Sequence, residues 1–251
     1  SLEEVGENCH FEEKILELKK KNFLGCNITV PYKTLAFELA DECSERVSKA
    51  GAANCFKFNK DGKIFADNTD GIGLIRDLKS NLNFELKNTN ILIFGAGGAV
   101  RGILGSLIQE MNGLGSIVII NRTVEKAQEL VKIFKKDFEN ISASHDLNQY
   151  ENLIFDLVID GTSFKNNLNL YLDLDLDLKL SRDSLVYDLK YLVKGQTETD
   201  CMRWGKSQGA GKVCDGLGML VEQAAESFKI WTGLMPETGL LIKQLRQELL
   251  G

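Results

Sequence analysis

The sequence has 251 residues, a net charge of −6 and 43% hydrophobic residues. That length fits one large domain or two modest ones with a packed core, and with no strongly basic stretch it argues against a nucleic-acid partner. No apolar run is long enough to span a bilayer, since ILIFGAGGAV (91–100) is short and glycine-broken, and the acidic, polar start SLEEVGENCH does not read as a signal peptide.

In chain order, residues 11–24 place Phe11, Ile15 and Leu18 at helical spacing, with Gly25 as the stop. Residues 26–30 read as a short strand halted by Pro31. Residues 32–49, rich in Glu, Ala and Leu, read as one helix. Residues 54–68 read as a hairpin that turns at Lys60-Asp61-Gly62, and 71–82 as a helix. From Asn88 the rhythm changes to strand 88–95, helix 99–111, strand 116–121 and helix 123–138, then strands 153–162 and 183–190. Strands alternating with helices indicate a parallel sheet. Helices follow at 200–209, 219–233 and 237–250. Residues 167–180 alternate leucine with polar residues and read as an amphipathic loop or edge strand. Asp173, Asp175 and Asp177 there lack the glycine and closing glutamate of a calcium loop.

The six cysteines, Cys9, Cys26, Cys43, Cys55, Cys201 and Cys214, form no CxxC pair and read as free thiols in a reducing cytoplasm. His10 and His145 have no ligand-spaced neighbours. We therefore expect neither a metal site nor a histidine-based triad. Proton transfer then falls to Lys, Asp, Glu or Tyr.

The segment Ile91–Thr123 reads as a dinucleotide-binding unit. Gly95, Ala96, Gly97, Gly98 and Ala99 follow a strand and open a helix. Gly95 permits the tight turn, and Gly97 and Gly98 let the backbone approach a pyrophosphate. The helix start supplies free N–H groups and the positive dipole end. Val100 stands where GxGxxG has its last glycine, and there is no Gly-Lys-Ser/Thr of a triphosphate loop. At the end of the second strand, Asn121-Arg122-Thr123 holds no carboxylate for a ribose 2′-hydroxyl. Arg122 offers a charged fork for a 2′-phosphate, with Thr123 and Lys126 beside it, so NADP(H) is expected rather than NAD(H).

Two polar clusters precede this unit. On a strand, Asn27 and Thr29 share one face, and Lys33 follows them. Asp67-Asn68-Thr69-Asp70-Gly71 lies ahead of a helix, and Ala50-Gly51-Ala52-Ala53-Asn54 falls between the two. Taken singly, these fit a capping aspartate, a turn asparagine and a surface lysine.

Together with the cofactor unit, NITVPYK, AGAANC, DNTDG, FGAGGAVRG, NRT, DGTS, YDLKY and DGLGMLVEQA resemble the shikimate dehydrogenase family in order and spacing. The similarity runs from about Phe11 to the C-terminal helices. It implies an α/β protein with a discontinuous substrate domain (1–80 and 218–251) and an inserted Rossmann-type, doubly wound NADP domain (81–217). It implies reversible reduction of 3-dehydroshikimate to shikimate with NADPH, in aromatic amino-acid and chorismate biosynthesis. Lys33 is then the catalytic lysine and Asp70 its partner. Thr29, Asn54 and Gln223 bind ring hydroxyls, and Tyr191 lies near the substrate carboxylate. Gly216 and Met219 border the nicotinamide, and Thr162, Ser163 and Leu189 line the cofactor side. A cytoplasmic monomer or homodimer without membrane contact is expected.

Several departures stand out. The family begins with a strand and a Ser-rich turn that binds the substrate carboxylate, and this sequence starts after that point. Cys55 stands where threonine is usual, and Asp160 where asparagine is usual. The stretch after Tyr191 lacks the common Asn-Pro. Two other readings are a relative that oxidises quinate or uses NAD, and a non-catalytic nucleotide-binding paralogue.

Overall fold

Residues 8–162, 178 and 180–250 are described in the structure, a computed structural model. Helix α1 (Asn8–Lys20) buries Phe11 and Ile15, one turn apart on one face. It stops at Asn22, which is left-handed with φ 59°, while Phe23 N donates to Leu18 O. Gly25, expected as the stop, instead opens β1 (Gly25–Asn27). The asparagine had already ended the helix.

A four-stranded sheet has the order β1-β3-β4-β2. Strands β3 (Cys55–Phe58) and β4 (Ile64–Asp67) form the expected hairpin, with Gly62 at φ 87° in its turn. Strand β1 adds antiparallel to β3, and β2 (Glu42–Cys43) adds parallel to β4. The expected single helix over 32–49 is therefore two helices, α2 (Lys33–Leu39) and α3 (Glu45–Ala50), separated by β2. Ala40 is extended, and Asp41 N donates to Ile64 O at 3.0 Å. The Asp41 carboxylate accepts from Ile64 N at 2.7 Å. Ser44 then caps α3 by accepting from Val47 N. Pairing with a hairpin twenty-odd residues away overrides a locally helical composition.

Helix α4 (Asp70–Arg76) continues into a π-helical turn, Asp77–Asn81. The second sheet has six strands in the order β10-β9-β8-β5-β6-β7, all parallel. They are β5 (Asn90–Phe94), β6 (Ser116–Ile120), β7 (Ile141–Ser144), β8 (Leu157–Asp160), β9 (Leu185–Asp188) and β10 (Lys212–Cys214). Strands β8 and β9 occupy only the centres of the expected spans. The sheet runs outward from β5 one way and from β8 the other, so its switch point lies between β5 and β8. In such sheets ligands bind outside the carboxyl ends of the strands at that point. Near-continuous burial of β5, β6, β8 and β9 matches strands covered on both faces.

Helix α5 (Gly98–Met111) buries Val100, Ile103, Leu104, Leu107, Ile108 and Met111 along one stripe, then ends at left-handed Asn112. Helices α6 (Val124–Phe134), α7 (Asp200–Ser207), α8 (Leu217–Thr232) and α9 (Gly239–Leu250) complete the described helices. Leu74, Ile75 and Leu78, from α4 and its π turn, share one core with Ile91, Ile93, Leu104 and Met219. The Trp231 indole donates to Phe56 O at 2.8 Å, which fastens α8 to the first sheet. Helices α4 and α8 pack on each other and so join the two sheets.

Of the 167–180 segment, only Leu178 and Leu180 fall within the described residues. Leu178 is buried in a second core with Leu180 packed against it. The loop or edge-strand expectation otherwise lies outside them. Cys26, Cys43, Cys55, Cys201 and Cys214 are free thiols. Burial pushes both Cys26 and Cys55 up to about 12.

Candidate active site

Lys33 and Asp70 are the first residues of α2 and α4. Phe11 stacks on Tyr32 with ring centroids 5.1 Å apart, which steadies the entry to α2. Lys33 Nζ donates to Asp70 Oδ2 at 2.5 Å, with side-chain exposures of 11% and 6%. Such an enclosed charge-assisted bond is stronger than a solvated surface pair. The other oxygen, Asp70 Oδ1, accepts from Asn54 Nδ2 at 2.8 Å.

Asn54 is buried, and it is more tightly used than the sequence suggests. Its Oδ1 accepts from Thr69 N at 2.8 Å, and its Nδ2 also reaches Gln223 Oε1 at 3.0 Å. Gln223 lies on α8, so this bond joins residues 169 positions apart. Lys33, Asp70, Asn54 and Gln223 thus converge. Thr29 is exposed beyond β1, with Ile28 between it and Asn27 turned inward. Tyr191 is 49% exposed.

The sequence reading missed the braces around this group. Asn68 Nδ2 donates to Ala52 O at 2.8 Å, and its Oδ1 accepts from Asp70 N at 3.1 Å. The Asp67 carboxylate accepts from Ser44 Oγ and from both Arg46 Nε and Nη2. The density of acid and amide in DNTD was the available signal. The glycine at 102 on α5 matters too. A Cβ there would stand 2.8 Å from Asn68 Nδ2 and 3.0 Å from Asp70 Oδ2, so only glycine lets α5 approach the acid this closely.

The glycine turn lies next to the ion pair. Gly95 has φ 103°, a conformation that disfavours side chains, and its N–H donates to Ile120 O. A Cβ on Gly97 would meet nothing within 4 Å, and one on Gly98 would meet the Lys33 side chain at 3.7 Å. The first turn of α5 holds no acid. Its leading N–H groups lack intrahelical partners by the geometry of any helix start. Open space, free donors and no negative charge fit the pyrophosphate of a dinucleotide. After β6, Asn121 Nδ2 closes the turn onto Thr123 O at 2.7 Å. Arg122, Thr123 and Lys126 are exposed there. Residues 121–123 at that strand end include no carboxylate, which fits a 2′-phosphate.

On the far side of the switch point, Thr162 follows β8 and Leu189 follows β9. Gly216 caps α8 and lies against Leu189 O, where a Cβ would approach to 2.5 Å. Met219 is buried, and its N–H donates to Tyr187 Oη at 3.3 Å. Tyr187 in turn donates to Asp77 Oδ2 at 2.6 Å. Burial pushes the Asp77 carboxyl up, against hydrogen bonds from Tyr187 and Asn81 that pull it down. Ser163 lies outside the described residues. Among the described residues, Asp160, Asp188 and Cys201 bring potential ligand atoms within 4.8 Å of one another. The Lys190 ammonium already stands against both carboxylates, at 2.9 and 3.6 Å. A groove of about 450 Å³ between α3 and α5, bounded by Arg46, Lys49 and Arg101, contains neither Lys33 nor Asp70.

Three family models match the chain. They describe the shikimate dehydrogenase substrate binding domain over residues 4–56, shikimate / quinate 5-dehydrogenase over 77–173, and the shikimate 5′-dehydrogenase C-terminal domain over 216–246. The shikimate dehydrogenase (NADP(+)) of Nitrosomonas europaea is 42% identical over 239 residues, which is 95% of this chain and 83% of that protein. That of Hydrogenovibrio crunogenus is 45% identical over 242 residues, covering 96% and 84%. The crystal structure of shikimate 5-dehydrogenase from Thermus thermophilus in complex with NADP(H) and shikimate superimposes with a TM-score of 0.77. It is 27% identical, with 97% and 85% of the two chains covered.

Proposed function

The chain belongs to the shikimate dehydrogenase family and is an NADP(H)-dependent oxidoreductase, and we propose that Lys33 and Asp70 carry its reaction, the reversible reduction of 3-dehydroshikimate to shikimate. One observation supports this above the others: the enclosed Lys33–Asp70 pair, 2.5 Å apart, lies directly against Gly98 at the start of α5.

Bound NADP(H) supplies or accepts the hydride. As hydride reaches the ketone carbon, the carbonyl oxygen gains negative charge and needs a proton or cation beside it. Lys33 Nζ provides both, donating its proton to that oxygen in reduction and taking it back in oxidation. Asp70 Oδ2 orients the ammonium and accepts from a ring hydroxyl. Asn54 holds Asp70 from behind, with Gln223 bonded to Asn54, and Asn54, Gln223 and Thr29 present polar groups to the remaining hydroxyls. Tyr191 stands toward the substrate carboxylate. The N–H groups of Gly97, Gly98 and Ala99 receive the pyrophosphate, and Arg122 with Thr123 and Lys126 receives the 2′-phosphate. Gly216, Met219, Thr162 and Leu189 wall the nicotinamide side.

We assign residues 1–80 and 218–251 to substrate and 81–217 to NADP(H). The assignment is supported by strand membership, with β1–β4 before residue 81 and β5–β10 within 90–214. A small-molecule substrate, a monomer or homodimer and a cytoplasmic location complete the reading. The net charge of −6 weighs against nucleic acid.

The test is Lys33→Ala, with binding and turnover measured separately. We expect kcat to fall about a hundredfold to ten-thousandfold, with the Kd for NADP⁺ unchanged. Undiminished turnover of shikimate overturns the mechanism.

A further inference from the structure

The strand-end acids described above are not used by the reaction. Asp160 and Asp188 close β8 and β9, lie opposite each other in register, and are fully buried. Strand β8 borders β5 at the switch point, so the pair sits under the turns that face the cofactor cleft. Two carboxylates held together away from water repel each other unless a cation joins them.

Lys190 is that cation. Its ammonium lies 2.9 Å from Asp160 Oδ2, 3.6 Å from Asp188 Oδ1 and 3.4 Å from Thr162 O. Its own backbone N–H donates to Asp188 Oδ1 at 3.0 Å. Asp160 Oδ1 in turn accepts from both Thr162 N, at 2.9 Å, and Thr162 Oγ1, at 2.7 Å. The Thr162 hydroxyl is therefore aimed by Asp160. One ammonium connects the turn after β8 to the segment Leu189–Tyr191 after β9. Asp188 Oδ2 has no hydrogen-bond partner among the described residues, and Lys190 is the ammonium that reaches both carboxylates. Burial acts to lower Lys190, but the charges of Asp160 and Asp188 outweigh it and raise it, so the ammonium is retained.

We infer that Lys190 is a positioning residue, whose ammonium neutralises the buried Asp160–Asp188 pair and thereby holds Thr162 and Tyr191 in the geometry that binds NADP(H) and substrate. The inference rests on the function proposed above. It deepens that reading by assigning a determinant of affinity outside the reacting pair. The Lys190 ammonium bonds the two acids and Thr162 O rather than the Lys33–Asp70 pair, so its loss should act on binding before chemistry.

The experiment compares wild type with Lys190→Met, Asp160→Asn and the double variant. It measures the Kd for NADP⁺ by titration, KM and kcat with shikimate, and Tm. Lys190→Met should raise the Kd and both KM values about tenfold, the size of a coupling within one charged network, while kcat changes less than about threefold. Asp160→Asn keeps an acceptor for Thr162 and leaves Lys190 paired with Asp188, so its Kd should rise less than that of Lys190→Met. The double variant has one buried carboxylate fewer and should recover most of the lost affinity. If Lys190→Met alone fails to fold while the double variant folds and binds, charge balance is still the cause. A Lys190→Met Kd equal to wild type, or a double variant no better than Lys190→Met, overturns the inference. Wild type that binds NADP⁺ but turns over no shikimate overturns the proposed reaction and leaves the Kd comparison to decide this one.

Discussion

Replacing Tyr187 by phenylalanine removes one oxygen from a buried chain running from Asp77 to the first turn of α8. The ring remains, so no cavity opens beyond the oxygen itself. Two hydrogen bonds are lost, to Asp77 Oδ2 at 2.6 Å and from Met219 N at 3.3 Å. The first involves a carboxylate and is worth about 1.5–3 kcal/mol. The second leaves a buried N–H without its acceptor, at a cost of about 1–3 kcal/mol. Asn81 still donates to Asp77 Oδ1, which limits the damage. A combined loss of about 3 kcal/mol is expected, lowering the urea midpoint by about 1 M at an m-value near 3 kcal/mol/M. The loss must also depend on pH. Burial raises the folded-state Asp77 carboxyl above its ordinary 3.8, so the native state holds the proton where the unfolded chain has released it. This acid therefore lowers stability as pH rises through that window. Without the tyrosine hydroxyl the folded value climbs further and the window widens upward. Urea unfolding at about pH 8 and about pH 5 should show the larger loss at the higher pH. Equal losses at both, or a loss under about 0.5 kcal/mol, would refute the reasoning.

Two further outcomes are expected. Arg122→Ala should weaken NADP⁺ about tenfold to a hundredfold, the range of a charge-assisted contact, and leave NAD⁺ nearly unaffected. Equal losses for both in a titration rule out the 2′-phosphate assignment. Burial and the neighbouring Asp160 charge push Asp188 up to about 6 from 3.8. This carboxyl therefore lowers stability as pH rises through that range. Asp188→Asn removes that dependence, so its thermal stability relative to wild type should improve with pH. A difference that stays flat across the window contradicts an origin in the buried Asp188 carboxyl.

The parallel sheet was largely legible because its signals are local. Ile91–Phe94 form a buried run, Gly95 breaks it, and α5 shows its stripe within fourteen residues. Lys33, Asp70, Asn54 and Gln223 were legible as a set through resemblance rather than periodicity, and their convergence is a property of the fold. The split of 32–49 was not legible, because what stops α2 is the hairpin edge offered by Ile64 and Ala66. Lys190 was not legible either. In sequence it stands thirty residues from Asp160, and only adjacent parallel strands bring the two together. Asp160 alone gave a hint, as an acid in an otherwise apolar strand.

The fastening of α8 to the first sheet orders events during synthesis. The six described parallel strands are contained in residues 90–214, so each of them is made before α8. The first sheet is in the opposite position. Its Phe56 carbonyl and its Asn54 amide take partners from Trp231 and Gln223, 175 and 169 residues later. Lys33 and Asp70 leave the ribosome early but are braced late. The half built on the parallel sheet is therefore the first able to fold as a unit. The Lys33–Asp70 pair gains its last braces only when the chain doubles back and α8 docks.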